Sequence, residues 1–180
     1  MKRSAAALFA LAAAAAPFAA FAGAGGMAHV EVAFTPGDDV EALIAGNIAR
    51  ARESVRMQAY LFTDRRIARE LLAALRRGVR VEVIGDAARQ ADGGLPWLGR
   101  LARAGASVWL DAATAASHNK IVIVDGEGPR ASVVTGSYNF TRAAQWRNAE
   151  NVVVISGNRA ITDRFVANFR SRRDRSRPWH

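Results

Sequence analysis

The sequence predicts a single-domain α/β fold in which a β-sheet is covered on both faces by helices. Two observations carry this. Short runs rich in β-branched and apolar residues alternate with helical repeats through most of the chain, the pattern that lays strands side by side beneath crossover helices. Two further runs, 121–124 and 131–135, then follow one another across a short Gly/Pro-containing segment, which is hairpin spacing. In order, HVEVAF (29–34) reads as a first strand, and DDVEALIAGNIARARES (38–54) as an amphipathic helix with acids at its positive end. SVRMQAYLF (54–62) is a second strand. Asp64 caps a helix that runs through LLAALRRG and stops at Gly78. VRVEVIGD (79–86) is a third strand, and GDAARQADGGLPW (85–97) reads as a long polar loop at a strand end, where ligand crevices of α/β sheets lie. LPWLGRLARAG is a short helix ending at Gly105, and ASVWLDA a fourth strand. The hairpin and ENVVVIS (150–156) supply three more strands, and NRAITDRFVANFRSRRD (158–174) a final helix.

The first residues read as an export signal rather than as part of this fold. Lys2 and Arg3 precede a weakly apolar Ala-rich run broken by Pro17, and Ala20-Phe21-Ala22 is a small-x-small cleavage site. The expected division is a signal peptide over 1–22 and one domain over 23–180, exported to the periplasm or medium, with no membrane span after cleavage. The formal charge of +9 favours an anionic partner, either a nucleic acid or an anionic phospholipid surface. The chain has no cysteine, which excludes disulfides and thiolate chemistry. FRSRRDRSRPWH at the C-terminus is the densest basic segment. It fits a solvated helix end or a nucleic-acid contact equally well.

Chemistry concentrates in HNKIVIVDG and TGSYNFT. Alternate side chains of a strand share a face, so His118 and Lys120 project together, a nucleophile or base beside a fixed positive charge. Asp125 follows His118 by an odd number of residues and therefore points the other way. A direct His118–Asp125 dyad is excluded, and Asp125, before Gly126, suits a turn or structural role. Gly-Ser-x-Asn suits a tight turn into a helix. Ser137, Asn139 and the amides of the helix start can donate to phosphoryl oxygens. Glu150 opens the next strand and is the candidate for orienting the His118 imidazole. Arg142, Trp146 and Arg147 follow closely and are candidate substrate contacts, with Trp146 the best placed of the tryptophans to stack a base. No acid cluster typical of a Mg²⁺ or Ca²⁺ site accompanies the motif.

HNKIVIVD, GSYNFT and AENVVVI, in that order, resemble the phospholipase D superfamily, and the small size and single motif resemble its bacterial endonuclease branch. The resemblance implies a mixed sheet sandwiched between helical layers and a phosphodiesterase that needs neither metal nor other cofactor. His118 would attack phosphorus to form a phosphohistidine, with Lys120 and Asn139 holding the phosphate oxygens. That chemistry needs a second histidine as leaving-group acid. Since only one HxKxxxxD occurs, a homodimer with a shared active site is implied. Nucleic-acid phosphodiester hydrolysis (DNA or RNA) is the leading reading. A phospholipase D acting on phospholipid headgroups is the alternative. A non-enzymatic basic binding module comes last, because it has no need of His118, Lys120, Ser137, Asn139 and Glu150 together.

Overall fold

The computed structural model describes residues 26–179; the expected signal segment, 1–22, and His180 lie outside them. The elements are β1 (His29–Thr35), α1 (Val40–Ala49), β2 (Ser54–Ala59), α2 (Arg65–Arg76), β3 (Arg80–Asp86), α3 (Ala87–Ala91) and α4 (Leu98–Arg103). They continue with β4 (Ser107–Asp111), β5 (Lys120–Val124), β6 (Ser132–Gly136), α5 (Arg142–Trp146), β7 (Glu150–Ser156), α6 (Arg159–Arg173) and β8 (Arg177–Pro178). One eight-stranded mixed sheet results, in the order β1-β7-β6-β5-β2-β3-β4-β8. β2, β3 and β4 run parallel, as their helical crossovers require, whereas β5 is antiparallel to both its neighbours.

β5 is buried along its whole length, which explains a run with no polar alternation. Val122 and Val124 face α1, α2 and α4 with Met57, Ile67 and Leu71, while Ile121 and Ile123 face α6 with Val166 and Phe169. An ion network clamps α6 to the second face. Arg56 of β2, its side chain 6% exposed, holds Glu82 at 2.8 Å and Glu127 at 2.7 Å, and Glu127 in turn holds Arg170 at 2.9 Å. The Arg56 guanidinium keeps the Glu127 carboxyl below its ordinary pKa. Beyond α6, the edge pair β1–β7 leaves Val30, Val32 and Phe34 exposed, in register with Ile155, Val153 and Asn151.

Two expectations are corrected. Segment 85–97 is not all loop: Asp86 accepts from the Arg89 amide and caps α3, a local bond that stabilises a turn of helix. Nor is the C-terminal tail simply a solvated helix end. β8 pairs with the exposed edge of β4, Trp179 donates its amide to Val108 and packs on the core, and Arg172 reaches the buried Asp111 at 3.5 Å. Covering an otherwise open strand edge is sufficient reason for the tail to lie there.

Asp125 has a structural task. It is buried, takes φ 46°, and its carboxylate accepts from the amides of Arg52, Glu53 (2.7 Å) and Ser54 (3.0 Å), where the chain enters β2. Asp125→Ala is expected to lower stability by about 2–4 kcal/mol, because buried donors lose their acceptor and alanine tolerates the left-handed backbone poorly. Asp125→Asn, which keeps an acceptor oxygen and accepts that backbone, should lose less than half as much. Urea unfolding of both variants checks this, and equal losses would refute it.

Candidate active site

Four strand ends meet at one edge of the sheet: the end of β2, the start of β5, the end of β6 and the start of β7. β5 begins at Lys120, so His118 sits just outside the strand and is exposed, whereas Lys120 is 6% exposed. Lys120 Nζ lies 2.7 Å from the His118 carbonyl and 2.9 Å from its Nδ1. An ammonium only donates, so Nδ1 is the acceptor and the proton of the neutral ring lies on Nε2. Burial pushes the Lys120 pKa down, and the Glu150 charge opposes the shift.

The Gly-Ser pair is explained by a close approach. A Cβ at Gly136 would lie 2.2 Å from the Asn151 carbonyl oxygen of β7, so only glycine lets β6 deliver Ser137 there. Ser137 Oγ donates to Glu150 at 2.5 Å and accepts from the Asn151 amide at 3.0 Å. Glu150 is fixed at its amide by Thr35 Oγ1, and its other oxygen accepts from Asn148 at 2.9 Å. Its hydrogen bonds therefore go to Ser137 and Asn148, and the contact to His118 Nδ1 comes from Lys120. Asn139 lies on the same turn, its Oδ1 buried without a protein partner. α5 starts only at Arg142, capped by the Thr141 hydroxyl, so Ser137 and Asn139 precede the helix N-terminus instead of forming it.

The structure thus gathers His118, Lys120, Ser137 and Glu150 in one linked cluster, with Asn139 on the turn beside it. It places Asp125 at the opposite end of β5. Arg142 and Trp146 line a separate groove with Thr63 and Arg65, Arg147 is exposed, and Trp146 is 69% exposed. Sequence reasoning missed Tyr60. Its ring lies 4.2 Å from the His118 ring and 4.9 Å from Lys120 Nζ, a cation–π contact, with Arg89 at 5.6 Å. Its position directly after β2, at the same sheet edge as the motif, was the available clue. Also missed was the Asn119 amide, which donates to Gln58 at 2.8 Å and ties the motif's middle residue to β2. Among the described residues no group of three or more His, Asp or Glu converges as a metal site. A phosphodiester fits this edge, since Lys120 supplies charge, Asn139 and Ser137 polar contacts, and exposed His118 the reactive nitrogen.

Residues 44–173 match a family model described as cardiolipin synthase, PLD-like domain. A phospholipase D of Rickettsia felis is 38% identical over 80% of this chain and 69% of the relative. The crystal structure of a phospholipase D family member, Nuc from Salmonella typhimurium, superposes with a TM-score of 0.78 at 31% identity, covering 86% of this chain and 99% of that one. NucT from Helicobacter pylori shares the fold, with a TM-score of 0.72 at 22% identity over 85% of this chain and all of that one.

The buried ammonium makes a measurable cost. Because the folded pKa of Lys120 lies below its unfolded value, the unfolded state binds more protons between the two, and stability rises with pH through that window. Lys120→Met removes the charge and should melt at a higher temperature than the parent at pH 7, the gap closing as pH approaches 10.5. A variant that melts lower at pH 7 would contradict this account.

Proposed function

The chain belongs to the phospholipase D superfamily and is a phosphodiesterase of it; from that premise we propose that it is a metal-independent endonuclease working through a phosphohistidine. The observation that carries this reading is the His118–Lys120 contact at the sheet edge. A bound phosphate draws the Lys120 ammonium onto its oxygens and so releases Nδ1. With the proton moved to Nδ1, the Nε2 lone pair attacks phosphorus, and the P–N bond forms as the P–O bond to the leaving group breaks. Lys120 and Asn139 hold the developing charge. The leaving oxygen takes a proton from Nε2 of a second His118, which enters the step as the imidazolium and leaves it neutral. Water, losing its proton to that same histidine, then attacks phosphorus and displaces the first.

The second histidine comes from a second copy of the chain. The exposed stripe Val30, Val32 and Phe34 supports this, because it borders β7 where Glu150 pairs with Thr35, and a twofold contact there brings two sheet edges together. Nucleic acid is preferred as substrate because the charge is strongly positive and exposed Arg142, Trp146 and Arg147 follow the motif turn. The Rickettsia relatives, which are phospholipases D by name, support a second reading, hydrolysis of phospholipid headgroups, with the same residues. Export to the periplasm or medium is part of this proposal.

Purified protein is assayed on plasmid DNA, RNA and phosphatidylcholine vesicles with EDTA present. Nucleic acids should be cut at the rate seen without EDTA, while loss of cutting that Mg²⁺ restores would overturn the metal-free scheme. His118→Ala should keep the fold by circular dichroism and lower turnover by about 10³-fold or more, the usual cost of losing a covalent nucleophile. The kcat/KM profile should fall on its alkaline side below pH 10.5, because the depressed Lys120 loses its proton there and the site its cation. Refolding parent chains with excess His118→Ala chains should lower activity beyond dilution, since mixed dimers hold one imidazole. Activity proportional to the parent fraction would rule out a shared site.

A further inference from the structure

α2 and α4 face each other across a groove of about 680 Å³ that no step of the proposed reaction uses. Arg65 and Arg69, spaced one turn apart on α2, meet Arg100 and Arg103 of α4 there. All four are exposed, no carboxylate lines the groove, and among the described residues none of the four forms an ion pair. Arg159, Arg170, Arg172 and Arg173 of α6, by contrast, are matched to acids, and the other groove lined by four arginines, Arg50, Arg52, Arg77 and Arg130, contains no aromatic ring. Four unneutralised guanidiniums converging on one groove favour an anion there, and their planar forks match phosphate.

An aromatic ring stands in the same groove. Trp97 is half-buried, its Nε1 donates to the Thr63 carbonyl at 3.2 Å, and the Arg100 guanidinium lies 5.7 Å from its ring. The groove also continues. Thr63 and Arg65 line a second hollow of about 390 Å³ whose far wall carries Arg142 and the exposed Trp146 of α5, the helix that follows the motif turn. Glu41 and Asp64 belong to this second hollow; the Asp64 carboxylate is engaged in capping α2 at Arg66 and Ile67. Arginines and tryptophans therefore alternate along one path leading to the motif helix.

We propose that this path is a binding track for single-stranded nucleic acid, with phosphates held by Arg65, Arg69, Arg100 and Arg103 and an unstacked base resting on Trp146. Phosphate contact alone suits any polyanion, whereas an exposed indole stacks only on bases that a duplex does not already stack. The inference rests on the endonuclease reading and deepens it by naming the strand state of the substrate.

The test uses the full protein, a fluorescein-labelled single strand of about 20 nucleotides, its blunt duplex, bis(p-nitrophenyl) phosphate, and phosphatidylglycerol vesicles. Arg69→Ala/Arg103→Ala should weaken single-strand binding at least 10-fold. It should also flatten the salt dependence by about 1.4 in log–log slope, two phosphate contacts at the single-strand value. Its turnover of the small diester should stay within twofold of the parent, which also shows that it folds. Trp146→Ala should weaken single-strand binding about 5-fold and duplex binding less than twofold. Unchanged single-strand affinity in the double variant overturns the track. Equal losses on single strand and duplex overturn the strand preference, and a loss confined to vesicles reassigns the groove to lipid. Cleavage separates the two proposals. If the parent cuts the oligonucleotide but the variants bind it normally, only the track fails. If the parent never cuts but the variants lose affinity, the endonuclease reading fails and the track stands.

Discussion

The register of β5 between β2 and β6 is the constraint on which the rest depends. Lys120 stands opposite Ala59 and Ile121 opposite Thr135, so Lys120 points with Val122 and Val124 while Ile121 and Ile123 pack under α6. A slip of one residue would exchange the two faces, sending Lys120 toward Phe169 and an isoleucine toward Tyr60. Both ends of the strand are pinned against that slip. Asp125 holds the amides entering β2 at one end, and at the other the Tyr60 amide donates to the Asn119 carbonyl while the Asn119 side chain bonds to Gln58. The acid of the HxKxxxxD pattern thus serves the histidine from a distance, through strand placement.

The cluster at the sheet edge is arranged against its own stability. A lysine 6% exposed is disfavoured in its charged form, and Glu150 compensates only in part. What the arrangement provides is a partly desolvated cation held beside the imidazole at the sheet edge. The supporting contacts are short and come from different elements: Thr35 of β1 on the Glu150 amide, Glu150 on Ser137, and Ser137 on Asn151. At Gly136 the volume of a side chain would itself prevent the assembly, because the Asn151 backbone stands where a Cβ would be.

The basic character of the chain divides into two kinds. Arg56, Arg170, Arg172 and Arg173 are structural, tying α6 and the tail to β2, β3 and β4 through Glu82, Glu127 and Asp111. Arg65, Arg69, Arg100 and Arg103 have no such partners and line open grooves. Net charge alone does not separate them. A dense basic segment in the sequence is largely a structural clasp, whereas sparse arginines on α2 and α4 form an unneutralised surface.

The α/β class and the motif residues that meet at the sheet edge were legible in the sequence, because both rest on local pattern, and the mixed sheet followed from the family resemblance those motifs carry. The apolar run after Lys120 reads as a buried strand, Asp64 and Gly78 mark the ends of a helix, and HNK with GSYN carries donors that few folds place together. The parity that excluded Asp125 from the histidine is likewise a property of spacing, and its carboxylate indeed lies at the far end of β5. What tertiary structure decided are the contacts between segments distant in sequence. Tyr60 against His118, Thr35 on Glu150, the tail beside β4 and the pairing of α2 with α4 arise from strand order, which no local pattern encodes. The partner of His118 Nδ1 belongs to the same class: Glu150 was the candidate by analogy with other histidine sites, but Lys120, rooted at the strand's first residue, makes the contact.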